Sequence, residues 1–205
     1  RGLALSFKVL ICLKRGDVEG AVELGRQAVT GSGMAGLKPQ EQSAVQYALG
    51  LALWTAGKLL GEDSYRQQAK APLIESVRLD PTRADSFSLL GCLYQWLKQD
   101  QRALKCFQKA VQLCPTDAIA GNGMCDIMER TSSSSSQQTE VLLGICKDVT
   151  EQEQSAAWAW VRLGRYQLRR GESAQAVTSF QQALRWSTGD ADCWEGLGHA
   201  YSKQG

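Results

Sequence analysis

The sequence predicts an all-α fold built from repeated helix–turn–helix units, and two observations carry that expectation. Within Ala84 to Asp117, Phe87, Leu90, Gly91 and Tyr94 are followed by Ala103, Phe107, Ala110 and Pro115, the spacing of two short helices closed by a proline. The same register returns at Gly164 and Gly198, one 34-residue period apart. Trp160, Leu163, Ala176, Phe180 and Ala183 surround the first, and Trp194, Leu197 and Tyr201 the second. A fixed period of this length predicts a helical-repeat solenoid, in which each unit stacks on its neighbours.

The recurring residues have steric reasons. Glycine in mid-helix costs about 1 kcal/mol relative to alanine, so Gly91, Gly164 and Gly198 are expected to admit a neighbouring helix at close range. Ala103 and Ala176 suit the same contact. Phe107 and Phe180 should fill the space between paired helices, each contributing about 3 to 5 kcal/mol if fully buried. Pro81 and Pro115 stand just beyond helix ends, because proline lacks a donor and disfavours helix in the preceding residue. Helices of about 12 to 15 residues are marginal alone, so stacking must stabilise them.

This spacing resembles the tetratricopeptide (TPR) repeat, W-x2-L-G-x2-Y…A-x3-F-x2-A…P, and the resemblance fixes a frame for the whole chain. Units 84–117 and 157–190 fit without adjustment. Unit 43–83 has Leu49 and Gly50 in helix A, Gly57 at that helix's end, and Ala69, Leu73 and Pro81 in helix B after about seven extra residues, which predicts a lengthened turn between A and B. Unit 2–35 is degenerate: Cys12, Gly16, Ala21 and Ala28 fit, but Gly25 stands where phenylalanine is usual. In unit 118–156, Met124, Cys125 and Met128 replace Leu, Gly and Tyr in a helix ending near Arg130, and a second helix runs from Thr139 to about Val149. A partial sixth unit covers 191–205. The expectation is one continuous TPR solenoid over 1–205, a fragment of a longer array.

Composition narrows the functional classes. The 205 residues carry a net charge of +2 with 21% charged residues, which gives no reason to expect a general nucleic-acid or membrane-surface binder. No apolar run approaches membrane-spanning length. Seven cysteines, an odd number without a C-x-x-C pair, fall mostly on apolar helix positions and read as buried thiols of a reducing compartment, cytoplasm or nucleus. A zinc site is not expected, since His199 is the only histidine and Cys193 lies six residues from it. Asn122, the only asparagine, begins no glycosylation sequon. With no nucleophile-elbow or phosphate-loop motif, neither an enzyme nor a cofactor is expected.

Partner binding must then be read from helix A, whose positions 2, 5, 9, 12 and 13 line the inner face in the family. Positions 5 and 9 read Ser6 and Leu10, Tyr47 and Leu51, Ser88 and Cys92, Asn122 and Asp126, Val161 and Arg165, Glu195 and His199. These lack the Lys and Asn of the carboxylate clamp that holds chaperone tails. Arg162, Arg165 and Arg169 recur at i, i+3 and i+7 and share one face, either a basic strip for an acidic peptide or RNA backbone or a solvated, ion-paired face. Trp160 takes the core position. Trp158 is then an exposed anchor for a neighbouring helix or protein, or is buried against the preceding unit. The run Thr131 to Ser136 reads as a flexible loop, where phosphorylation would add charge and order or repel a partner.

A narrower resemblance lies in Trp158 to Gly171 (WAWVRLGRYQLRRG), the following QAVTSFQQAL, Asp192 to Gly205 (DCWEGLGHAYSKQG) and Asp100 to Leu113 (DQRALKCFQKAVQL). These stretches look similar to the long TPR subunits of superkiller complexes. That resemblance implies a non-catalytic cytoplasmic scaffold that holds a DExH-type RNA helicase and WD40-propeller subunits, with RNA contact indirect, and supports exosome-mediated 3′-to-5′ mRNA decay. A peptide-binding TPR adaptor of another assembly and a direct RNA-binding module using the arginines remain as alternatives.

Overall fold

A computed structural model describes residues 2–131 and 136–203; of the run Thr131 to Ser136, expected as a loop, Thr131 ends one helix and Ser136 begins the next, and 132–135 lie outside the described residues. Among them the fold is all helical. Contacts gather into two compact units, Arg1–Lys109 and Ala110–Gly205.

The first unit begins with a hairpin of α1 (Gly2–Arg15) and α2 (Val18–Ala28), which Asp17 joins by accepting the Gly20 N–H at 2.9 Å. A four-residue helix, α3 (Gly31–Met34), precedes α4 (Pro39–Leu59). Pro39 starts α4 without sacrificing a helical donor, and the Glu41 carboxylate turns back to accept the Lys38 N–H at 2.9 Å. Then follow α5 (Asp63–Leu79), α6 (Ala84–Trp96) and α7 (Asp100–Leu113).

The expected long turn in this unit is instead a pair of long helices. Helix α4 spans 21 residues and runs past Gly57, α5 spans 17, and only residues 60–62 separate them. Glu62 and Asp63 are the N-cap and first residue of α5. The extra residues extend the helices because Ala56, Gly57 and Ala69 are small and buried, which lets the two axes stay close further along.

Glycine and a larger side chain meet repeatedly across helices. A Cβ on Gly50 would lie 2.6 Å from Leu73 Cδ2, and one on Gly91 would lie 2.6 Å from Phe107 Cδ1. Both distances are too short for real atoms, so the glycines are required by Leu73 and Phe107, each 0% exposed. Gly25 completes the pattern from the other side. A Cβ there would meet Leu49 at 3.0 Å, so the helix expected to present phenylalanine instead admits the side chain of α4.

Between α4, α5 and α6 three buried hydroxyls bring the helices together. Ser43 donates to the Ser76 carbonyl and Ser76 to the Ser43 carbonyl, both at 2.9 Å. Their hydroxyl oxygens lie 3.0 Å apart, and the Ser76 and Ser86 oxygens 2.8 Å apart. Arg83 Nε adds a donor to Ser43 at 3.1 Å. Fully partnered buried hydroxyls tolerate a low dielectric that unpaired ones do not.

The second unit contains α8 (Ala118–Thr131), α9 (Ser136–Gln152), α10 (Ala157–Arg169), α11 (Ser173–Trp186) and α12 (Ala191–Ser202). Asp117 accepts the N–H groups of Ile119 and Ala120 at 3.0 and 3.1 Å, and Asp190 that of Asp192 at 3.1 Å. Helix α9 exceeds the expected 139–149 at both ends. Phe180 is held between two glycines, with a Cβ on Gly164 falling 2.8 Å from its Cζ and one on Gly196 falling 2.6 Å from its Cε1. A Cβ on Gly198 would meet nothing within 4 Å, so the close approach expected there is made by Gly196.

Candidate partner-binding surface

The site begins with two tryptophans, Trp158, for which exposure and burial against the preceding unit were both open, and Trp160, expected in the core. Trp158 is 4% exposed, its indole occupies the space a Cβ on Gly121 would need, and its Nε1–H donates to the Pro115 carbonyl at 2.7 Å. The exposed-anchor reading is therefore corrected, because Gly121 opens α8 to a full indole. Trp160 is only half-buried and donates to the Gln154 carbonyl at 2.9 Å. Trp194, one period later, donates likewise to Thr188 at 3.0 Å. Tryptophan at this repeat position ties helix A to its own leading loop.

Arg162 leaves the face it was expected to share with Arg165 and Arg169. It is 9% exposed and reaches back to α8, where Nε donates to Asn122 Oδ1 at 2.8 Å and the guanidinium pairs with Asp126 and, at 3.7 Å, with Glu129. Burial opposes its charge, but the attraction and hydrogen bond of Asp126 outweigh that, so its pKa stands above the ordinary arginine value. Beside it the Tyr166 hydroxyl, 1% exposed, donates to Glu129 at 2.8 Å. Burial, then the negative surroundings, push that phenol up.

The remaining arginines are more open. Arg169 is half-exposed, stacks 5.5 Å from the Tyr166 ring centroid and lies 3.4 Å from Glu129. Arg165 pairs with Asp192 of α12 at 2.9 Å, and Arg170 with Glu140 and Glu172, each at 3.1 Å. Exposed pairs of this kind contribute about 0 to 1 kcal/mol each and can exchange for a ligand. Arg165, Arg169, Asp192, Glu195, His199 and Lys203 surround an open cleft of about 390 Å³ between α10 and α12. This row of alternating charge on helix A positions is what the structure makes of the strip.

Beneath the arginines, Cys125 and Cys146 face each other, both 0% exposed. Cys125 holds the repeat's glycine position. Its hydrogen bond with Cys146 lowers its pKa, while the same bond and burial raise that of Cys146. Among the described residues no group of three or more His, Cys, Asp or Glu is placed to hold a metal, and no helix is long and apolar enough to cross a membrane.

Comparison with known proteins agrees with this geometry. Residues 84–117 and 159–190 each match a tetratricopeptide repeat family model. The fold resembles a tetratricopeptide repeat protein from Parabacteroides merdae (TM-score 0.63, 16% identity, 98% of this chain and 72% of that one). It also resembles Pseudomonas aeruginosa PilF (TM-score 0.59, 19% identity, 81% and 70%). The chain is a tetratricopeptide repeat protein, a class that generally serves as non-catalytic interaction scaffolds. Within that class it resembles Superkiller complex protein 3. It is 35% identical to the Mus musculus and Homo sapiens proteins over 82% of its length, and 28% identical to Schizosaccharomyces pombe Superkiller protein 3 over 70%. The chain spans about a tenth of the length of these relatives.

Proposed function

We propose that this chain is part of the TPR scaffold of a superkiller complex, acting in the cytoplasm, with the nucleus as a second compartment. In this reading it helps to hold a DExH-type RNA helicase and WD40-propeller subunits and so supports exosome-mediated 3′-to-5′ mRNA decay. The observation that carries it is the 35% identity to Superkiller complex protein 3 across 82% of the chain. Placement of the arginines supports an indirect role toward RNA. Arg162 is committed to α8, and Arg165 and Arg169 already face carboxylates. The test is a reporter mRNA lacking a stop codon in cells depleted of the full-length protein. Its 3′-to-5′ decay should slow and recover on re-expression; unchanged decay on depletion contradicts the proposal.

The cleft between α10 and α12 favours a second reading, in which Arg165, Arg169 and Lys203 hold an acidic segment of a partner protein. Arg169 is 56% exposed at its side chain and available for exchange. Replacing Arg165 and Arg169 by glutamate should weaken capture of that partner while leaving the fold intact. Loss of a salt-dependent RNA affinity in the same variant would instead favour direct RNA binding.

A further inference from the structure

A separate groove lies in the first unit, away from the positions through which TPR helices A are expected to bind. Ile74 and Val77 of α5 form one wall, and Phe87, Leu90 and Tyr94 of α6 form the floor. Helix α7 supplies the other edge with Arg102, Lys105 and Cys106. The groove encloses about 350 Å³, and Ile74 at its mouth is 41% exposed, an aliphatic side chain left facing solvent.

Its charge is one-sided. Arg102, Lys105 and Lys109 recur at i, i+3 and i+7 along α7 and all three are exposed. Arg102 touches the Gln99 side chain and stands 5.9 Å from the Tyr94 ring centroid, and among the described residues neither it nor Lys105 is held by an ion pair. Among the described residues no carboxylate lines the groove. The nearest acid on α5, Glu75, is taken by Arg78 at 2.6 Å, and that bond and charge hold its carboxyl below the ordinary value. Apolar walls with an unbalanced cationic rim fit a peptide that is apolar on one side and acidic on the other. Aliphatic Ile74, Val77 and Leu90 offer nothing to the hydrogen-bonding edges of bases, which argues for a peptide rather than RNA.

We propose that this groove docks a short segment of a partner protein carrying two or more large apolar side chains flanked by acidic residues. The apolar side chains enter between Ile74 and Phe87, and the carboxylates meet Arg102 and Lys105. The site does not depend on the superkiller assignment, nor on the α10–α12 cleft.

The probe is a fluorescein-labelled synthetic peptide with two leucines and a phenylalanine flanked by glutamates, titrated by anisotropy against the full chain. The Kd should rise about tenfold or more in R102E/K105E and in Ile74→Glu, and stay unchanged in K147E/R185E, changed at exposed positions of α9 and α11. Bound peptide should also slow alkylation of Cys106, read by mass spectrometry; burial already raises that thiol to about 11. Circular dichroism confirms that the variants, changed only at exposed or half-exposed positions, keep their helices. Equal binding by the variants overturns the proposal. So does equal binding of a peptide with serine in place of the apolar residues, or tighter binding of oligouridine abolished by the same variants. Self-association of the free chain that Ile74→Glu disperses also overturns it, since a second copy would then be the occupant.

Discussion

The indole of Trp158 fills the space that a side chain at Gly121 would occupy, so helices α10 and α8 meet through one residue with a large ring and one with none. Gly121→Ala should therefore destabilise the chain despite the better helix propensity of alanine. Overpacking of this kind costs about 1 to 3 kcal/mol, against a propensity gain of about 1. Trp158→Ala should cost about 3 to 5 kcal/mol and leave the Pro115 carbonyl without its donor. Urea denaturation of both variants measures the two effects.

Arg162 and its exposed neighbours should separate in the same assay. Arg162→Met leaves Asp126 and Glu129 facing a less polar surface, a loss of about 1 to 3 kcal/mol, limited because Asp126 is 51% exposed and can rehydrate. Arg165→Met and Arg169→Met should each cost less than about 1 kcal/mol. Equal costs at the three positions would contradict the division between a packing arginine and two surface arginines.

The Cys125 and Cys146 pair invites a restoration test. Cys146→Phe alone should overpack against the Cys125 sulfur, and Cys125→Gly alone should leave a void and a flexible helix. Together they recreate the glycine and phenylalanine pairing seen at Gly91 with Phe107, so the double variant should be more stable than the sum of single effects, by about 0.5 to 3 kcal/mol. Additivity would show that the two thiols do not share one space.

Acid should weaken the first unit through Asp80. Its carboxylate accepts the Thr82 hydroxyl at 2.6 Å and the Thr82 N–H at 3.0 Å, with Arg83 3.9 Å away. The Thr82 hydroxyl bond, helped by that N–H and by Arg83 against the opposing effect of burial, lowers its pKa. A depressed folded pKa gives stability that is complete above the unfolded value of about 3.9 and is lost as pH falls through the folded one. The stability advantage of the wild type over Asp80→Asn should accordingly shrink across that acid window and stay constant near neutral pH, as followed by thermal unfolding at a series of pH values.

Much of the fold was legible because the repeat encodes contacts locally. Gly91 with Phe107 and Gly164 with Phe180 follow from spacing alone, and so do the helix ends before Pro81 and Pro115. The degenerate units hid their solutions because a different pair of residues makes the same contact. Leu49 enters at Gly25, Leu73 stands for phenylalanine, and two cysteines replace the glycine and the ring. Neither Trp158 nor Arg162 could be placed from its own helix, since the residues that accept them, Gly121, Asn122 and Asp126, lie in the preceding unit and carry no consensus signal. Gly121 was the one available clue, a glycine within α8 at a position where the repeat does not ask for one. Ser43, Ser76 and Ser86 had no polar pattern to mark them, and only the close approach of three helices explains their burial.

The scaffold assignment is tested most directly by affinity purification of the tagged full-length protein from cells, followed by quantitative mass spectrometry. We expect a DExH-type helicase and a WD40-propeller protein to be recovered in near-stoichiometric amounts, unaffected by nuclease. Recovery of the intact protein with neither would contradict it.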